Sequence, residues 1–179
     1  MSTTYSQRVE ADAVATLAQS RAMAHPDRLR IIRLTYDTPL TNAQLAQRLG
    51  RDPATVLHHV RTLVRTGFLV PQEPRRGARG AREIPYLSTG QSFRLQTPQP
   101  EEARAIDLAV VDAFRVELAE ALELGPQTLG RLVVRLSPAG ADALRRRLSE
   151  LLIEAAAWEP VAGGGAYALL LALHEQVEG

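Results

Sequence analysis

The stretch from Thr41 to Gly67 is closely punctuated, and it constrains this chain more than any other. Thr41-Asn42-Ala43-Gln44 has the pattern of a capping box: the threonine hydroxyl can accept from the Gln44 amide while the glutamine side chain reaches back. Gly50 can take the left-handed conformation that ends a helix. Asp52-Pro53 starts another at once, with a capping carboxylate and a proline at the first helical position. That helix runs to about Thr66, where Gly67 stops it. Two helices joined by so short a turn form a helix-turn-helix. Ala46 is small where the two must approach closely. Val56, Val60, Leu63 and Val64 give the second helix an inward face, which turns Ala54, Thr55, His58, Arg61, Thr62 and Arg65 outward.

The flanks supply supporting elements. Ala13, Val14, Leu17, Ala18 and Ala22 recur at helical spacing, predicting a helix over Val9 to Ala24. His25-Pro26 ends it and opens a second helix, Asp27 to Tyr36, which buries Leu29, Ile31 and Ile32. Downstream, Phe68-Leu69-Val70 and Ile84 to Leu87 are short strand signals around the turn-rich segment Pro71 to Arg82. This hairpin carries Arg75, Arg76, Arg79 and Arg82 at a tip broken by Gly77 and Gly80. Thr97-Pro98-Gln99-Pro100 marks a boundary. A long helix is expected over Glu101 to Leu124, with Ile106, Val110, Ala113, Phe114, Leu118, Ala121 and Leu122 on one face and Gly125-Pro126 after it. Leu129 to Leu136 alternates like a half-buried strand, Ser137-Pro138 caps a helix bearing Leu144, Leu148, Leu151, Leu152 and Ala155, and Ala166 to Leu173 reads as an apolar strand. Two strands around one helix cannot make a stable isolated sheet, so they must find partners.

Charge narrows the function. The 179 residues carry a formal charge of +1, but residues 1–95 sum to +7 and residues 96–179 to −6. A basic half joined to an acidic half suggests that the first half meets a polyanion. The absence of cysteine removes disulfides, zinc ribbons and thiol catalysis. The histidines are His25, His58, His59 and His174; the adjacent pair cannot put both rings on one helical face, so no metal site and no cofactor are expected. Glu117, Glu120 and Glu123 look like solvated surface, and no phosphate loop or nucleophile–base set points to an enzyme. The longest apolar run is too short to span a bilayer and the first ten residues are polar, so a cytoplasmic protein without a membrane partner is expected.

Three segments, in order and at suitable spacing, resemble the ArsR family of winged-helix regulators. They are Ala24-His25-Pro26-Asp27-Arg28-Leu29-Arg30-Ile31-Ile32, Leu45-Ala46-Gln47-Arg48-Leu49-Gly50, and Ala54 to Leu63 closing with Thr66-Gly67-Phe68-Leu69-Val70. The resemblance covers roughly the first 95 residues. It implies a winged helix-turn-helix over 1–95; the residues beyond read by their own pattern as a linker and dimerisation helix over 96–127 and a C-terminal β-α-β accessory unit over 128–179, so that a mostly α chain with small β elements is expected. The resemblance further implies a homodimeric repressor of transcription that binds double-stranded DNA. The recognition helix, 53–66, would enter the major groove, with the arginine-rich wing, 71–83, on the backbone or in the minor groove.

DNA contacts are then expected from Thr41, Asn42, Ala54, Thr55, Leu57, His58, Arg61, Thr62, Arg65, Arg75, Arg76, Arg79 and Arg82. Arg61 is the residue best suited to a guanine, and Leu57 to a thymine methyl. Dimerisation is expected through Ile106, Val110, Phe114 and Leu118. Trp158, Tyr167 and the glycine run could line a pocket for a small-molecule effector. The main rival expectation is a winged helix that binds protein instead of DNA.

Overall fold

The computed structural model describes residues 13–77, 80–93, 95–97, 99–123, 128–158, 165 and 167–175. In chain order the elements are β1 (Ala13–Val14), α1 (Leu17–Met23), α2 (Pro26–Leu34), β2 (Leu40–Thr41), α3 (Asn42–Leu49), α4 (Pro53–Arg65), β3 (Leu69–Pro71), β4 (Arg75–Arg76), β5 (Arg82–Glu83), β6 (Pro85–Ser88), β7 (Leu95–Gln96), α5 (Pro100–Leu122) and α6 (Pro138–Ala157). The chain divides into two units, Met1–Gly125 and Pro126–Gly179.

Caps set the helix boundaries of the first unit. Thr16 and Gln19 form a capping box at α1, and Thr41 and Gln44 form another at α3. Asp52 Oδ1 accepts from the amides of Ala54 (2.8 Å) and Thr55 (3.3 Å) and opens α4. At α2 the cap is a histidine: His25 Nδ1 accepts from the Asp27 amide at 3.2 Å. Gly50 closes α3 in the left-handed region, with φ 61°. Two expected boundaries move. Residues 9–12 of the first predicted helix lie outside the described residues, and Ala13–Val14 is a strand paired in parallel with β7. Helix α2 ends at Leu34, before the predicted Tyr36, because Thr35 turns inward and its hydroxyl donates to the Ile31 carbonyl at 2.8 Å.

Around these helices, β2, β6 and β3 form an antiparallel sheet in that order. Strand β2 was not apparent from sequence, since two residues show no alternation. Ile31, Leu45, Val56, Val60 and Leu63 are fully buried at the centre, with Leu40 and Phe68 closing the sheet side. Each such side chain stabilises the fold by about 1.5–3 kcal/mol. Helix α5 lays Ile106, Ala109 and Ala113 against α1 and α2. Two ion pairs fasten its far end to α2: Arg30 with Glu120 at 2.6 Å, and Arg33 with Glu117. Glu120 stays on the solvated surface expected for it, its side chain 59% exposed, whereas Glu117 is largely covered, its side chain 17% exposed. Arg30 is itself buried, so its charge must be matched there.

The same packing corrects part of the dimer expectation. Ile106 is 9% exposed and belongs to the core of its own chain, and Val110 packs against that core. Phe114 and Leu118 are half-buried. The opposite face of α5 carries Leu108 (60% exposed), Val111 (48%) and Leu122 (51%).

In the second unit α6 forms as its Ser137 cap predicts, the serine hydroxyl accepting from the Gly140 amide. The predicted strand Leu129–Leu136 is not a strand, and neither are the described residues of the predicted strand 166–173. Alternation alone gives a strand no partner, and among the described residues of this unit none is buried. Trp158 and Tyr167, expected near a pocket, are 63% and 96% exposed; Gly163 and Gly164 lie outside the described residues.

Candidate nucleic-acid interface

Helix α4 has two chemically distinct faces. Val56, His59, Val60 and Leu63 are buried. Ala54, Thr55, His58, Arg61 and Arg65 are exposed, with Leu57 and Thr62 half-buried at the edges. The exposed row offers a hydroxyl, an imidazole and two guanidinium groups on a helix capped rigidly at Asp52. Such a row can meet base edges and phosphates together. The Thr62 hydroxyl donates to the His58 carbonyl at 3.1 Å, which orients it along the helix.

The hairpin beyond α4 is built in two stages. Strands β3 and β6 pair next to the core, with Leu69 opposite Ser88 and Pro71 opposite Tyr86. Further out β4 and β5 pair, with Arg75 opposite Glu83 and Arg76 opposite Arg82. Arg75, Arg76 and Arg82 are all exposed. Two arginines directly opposite one another destabilise a ladder by themselves, and a bound polyanion would relieve the repulsion. Arg79 lies outside the described residues. Gly80 has φ 75°, a backbone conformation that carries the tip around without a Cβ penalty. Arg75 Nη2 also donates to Gln44 Oε1 at 3.2 Å, so the outer stage of the hairpin is tied to the capping box of α3.

Two predicted contact residues have other work. Thr41 is 3% exposed, and its hydroxyl accepts from the Gln44 amide, so it caps α3 and presents nothing to a ligand. Asn42 Nδ2 donates to the Pro53 carbonyl at 2.9 Å, which fixes the start of α3 against the start of α4. Both hold the helix-turn-helix together, Thr41 from a buried position and Asn42 from a half-buried one.

His59 faces inward, away from the side that carries His58, as two adjacent helical positions require: it is 7% exposed and its ring centroid lies 4.5 Å from that of His25. Its position three residues after Val56 and four before Leu63 was the available signal. Burial pushes the pKa of both His25 and His59 below the ordinary 6.5; for His59 the neighbouring His25 and Arg28 add to the effect. Both rings are thus held neutral at neutral pH. Asp27 completes the group: one ligand atom from each of His25, Asp27 and His59 lies within 4.8 Å of the others.

Residues 23–72 match a helix-turn-helix domain. With the hairpin after α4, the fold is a winged helix-turn-helix. No curated protein sequence matches the chain significantly.

Solved structures offer distant likenesses. Reduced HlyU of Vibrio cholerae is 22% identical, covering 51% of this chain and 81% of its own, with a TM-score of 0.35. A mutant of ZitR from Lactococcus lactis in its apo form is 20% identical over 73% of this chain and 83% of its own, with a TM-score of 0.32. A possible transcriptional regulator from Methanosarcina mazei is 15% identical over 65% and 100%, with a TM-score of 0.34. At such scores the winged helix-turn-helix rests on the domain match and on the geometry of residues 23–88. Among the described residues, no helix is long and apolar enough to cross a membrane.

Proposed function

We propose that this winged helix-turn-helix protein is an ArsR-like, homodimeric transcriptional repressor that reads duplex DNA through α4. The observation that carries the reading is the exposed row Thr55, His58, Arg61 and Arg65, set on a helix whose other face is locked in the core. In this reading Arg61 takes a guanine in the major groove, and Thr55, His58 and Thr62 contact neighbouring bases or phosphates. Leu57 and Ala54 supply apolar contact to a thymine methyl. Arg65 and the wing arginines Arg75, Arg76 and Arg82 neutralise phosphates, and the same role falls to Arg79.

A single recognition helix spans too few base pairs to select one genomic site. A two-fold dimer places two such helices on successive major-groove faces about 34 Å apart. The outer face of α5, with Leu108, Val111 and Leu122 exposed, supports self-association there. Phe114 and Leu118, half-buried beside that face, would join it, while Ile106 and Val110 would shape α5 from within. Binding of a random and a selected duplex across a range of salt tests the reading. Salt-dependent binding to both, tighter to the selected site, is expected. A protein that ignores duplex DNA at low salt would favour a protein-binding winged helix instead.

A further inference from the structure

We propose that His25, Asp27 and His59 form a binding site for a divalent first-row transition-metal ion, of which Zn²⁺ is the probe species. The three side chains come from two different elements, the start of α2 and the inner face of α4, and they converge to within 4.8 Å. Two imidazoles and one carboxylate, with no thiol in the chain, form a donor set suited to Zn²⁺, Co²⁺ or Ni²⁺. A second observation points to a missing ligand. His59 is more than nine-tenths buried, and its Nδ1 has no hydrogen-bond partner. A buried ring nitrogen without a partner is disfavoured unless something fills the place. The low pKa values of both histidines keep lone pairs on the rings at neutral pH, as ligation requires.

The surroundings define what capture of the ion entails. Bonds of about 2.0–2.1 Å in a tetrahedral site put ligand atoms about 3.4 Å apart, so the side chains must close in by roughly an ångström. Arg51 Nε donates to Asp27 Oδ2 at 3.1 Å, but the Arg51 side chain is 56% exposed and can swing into solvent, whereas that of Asp27 is 13% exposed and stays. Arg28, whose positive charge acts on both rings and opposes a cation there, donates through Nη2 to the Arg21 carbonyl at 2.7 Å. His25 Nδ1 now accepts from the Asp27 amide, and a ring that ligates the ion must give up that bond. Metal capture therefore exchanges the cap of α2 for a link between α2 and α4. With three protein ligands, the fourth position is left to water.

The test uses the full chain without a polyhistidine tag, titrated with Zn²⁺ against a chromophoric chelator. One ion per chain is expected. Loss of a partner behind a ligand already costs 10–100-fold in affinity, so His59→Gln and Asp27→Asn should each weaken binding by more than about tenfold. His58→Gln and His174→Gln should leave it unchanged. Ring ¹⁵N spectra of the parent protein do not depend on any variant folding: Zn²⁺ should shift the His25 and His59 signals and spare those of His58 and His174. Absence of binding at a hundred-fold excess over protein, equal affinity in the Asp27→Asn variant, or movement of only the His58 or His174 signals would overturn the site.

Discussion

His59 and Arg61 are two residues apart on one helix and face opposite environments. For His59 the consequence is a dependence of stability on pH. The unfolded chain takes up protons at the ordinary histidine value of 6.5, while the folded one resists protonation until lower pH because His25 and His59 are buried. Their contribution is fully present above that value and is lost as pH falls through it towards the native pKa. Chemical denaturation with a chelator present should show lower stability at pH 5.5 than at pH 7.5. His25→Gln should flatten that difference, and equal pH profiles for variant and parent would mean that these rings do not titrate with folding. For Arg61 the consequence is in recognition. Arg61→Ala should lose about 1–3 kcal/mol at a matched operator and relax base preference at one position per half-site. Competition between the matched operator and a point-mutated one reads this directly, and an equal loss on both would exclude base reading by Arg61. The outward position of Arg61 was legible from helical period alone. The same period keeps His59 off the face of His58, but its packing against His25 and Asp27 was not legible, because it joins two elements distant from one another in the chain.

Local chemistry decided which elements could be read. Helices α3 and α4 follow from Thr41, Gln44, Gly50, Asp52 and Pro53, all acting within a few residues of one another. Gly50 shows how much rests on such a position: nothing lies within 4 Å of a Cβ built there, so Gly50→Ala costs only the left-handed backbone, about 1–2 kcal/mol. Thermal unfolding measures it, and an unchanged midpoint would mean the turn can rearrange. Strands β1, β2 and β7 are two residues each and exist through pairing with distant segments, which no local pattern records. Leu129–Leu136 is the reverse case, an alternating pattern that finds no partner. The arginines of β4 and β5 were legible as a charged tip, but their cross-strand register was not. If they follow DNA phosphates, changing Arg75, Arg76 and Arg82 to Gln should weaken binding to every duplex. It should also reduce the slope of log affinity against log salt by about 0.9 per lost contact. An unchanged slope removes the wing from the interface.

On the scale of the whole molecule, one helix serves two surfaces. The inner side of α5 completes the core through Ile106, Ala109 and Ala113, and its outer side leaves Leu108 and Val111 in solvent. That division was hidden in the sequence, since a helix apolar on much of its circumference does not declare which stripe meets its own chain. It separates two effects that a core substitution would mix. Leu108→Glu with Val111→Glu should give folded monomers with weak operator binding, while Ala113→Glu should unfold the first unit. Sedimentation of the parent at tens of micromolar should give a dimer.

Fluorescence anisotropy of labelled duplexes tests most directly whether α4 and the wing read duplex DNA. The parent protein should bind random duplex at low salt, with affinity falling steeply as salt rises. It should hold a selected site at least about a thousandfold more tightly. Arg61→Ala should lose most of that preference while keeping the salt dependence. Binding to both duplexes that is equally weak, indifferent to salt and untouched by Arg61→Ala would contradict the account.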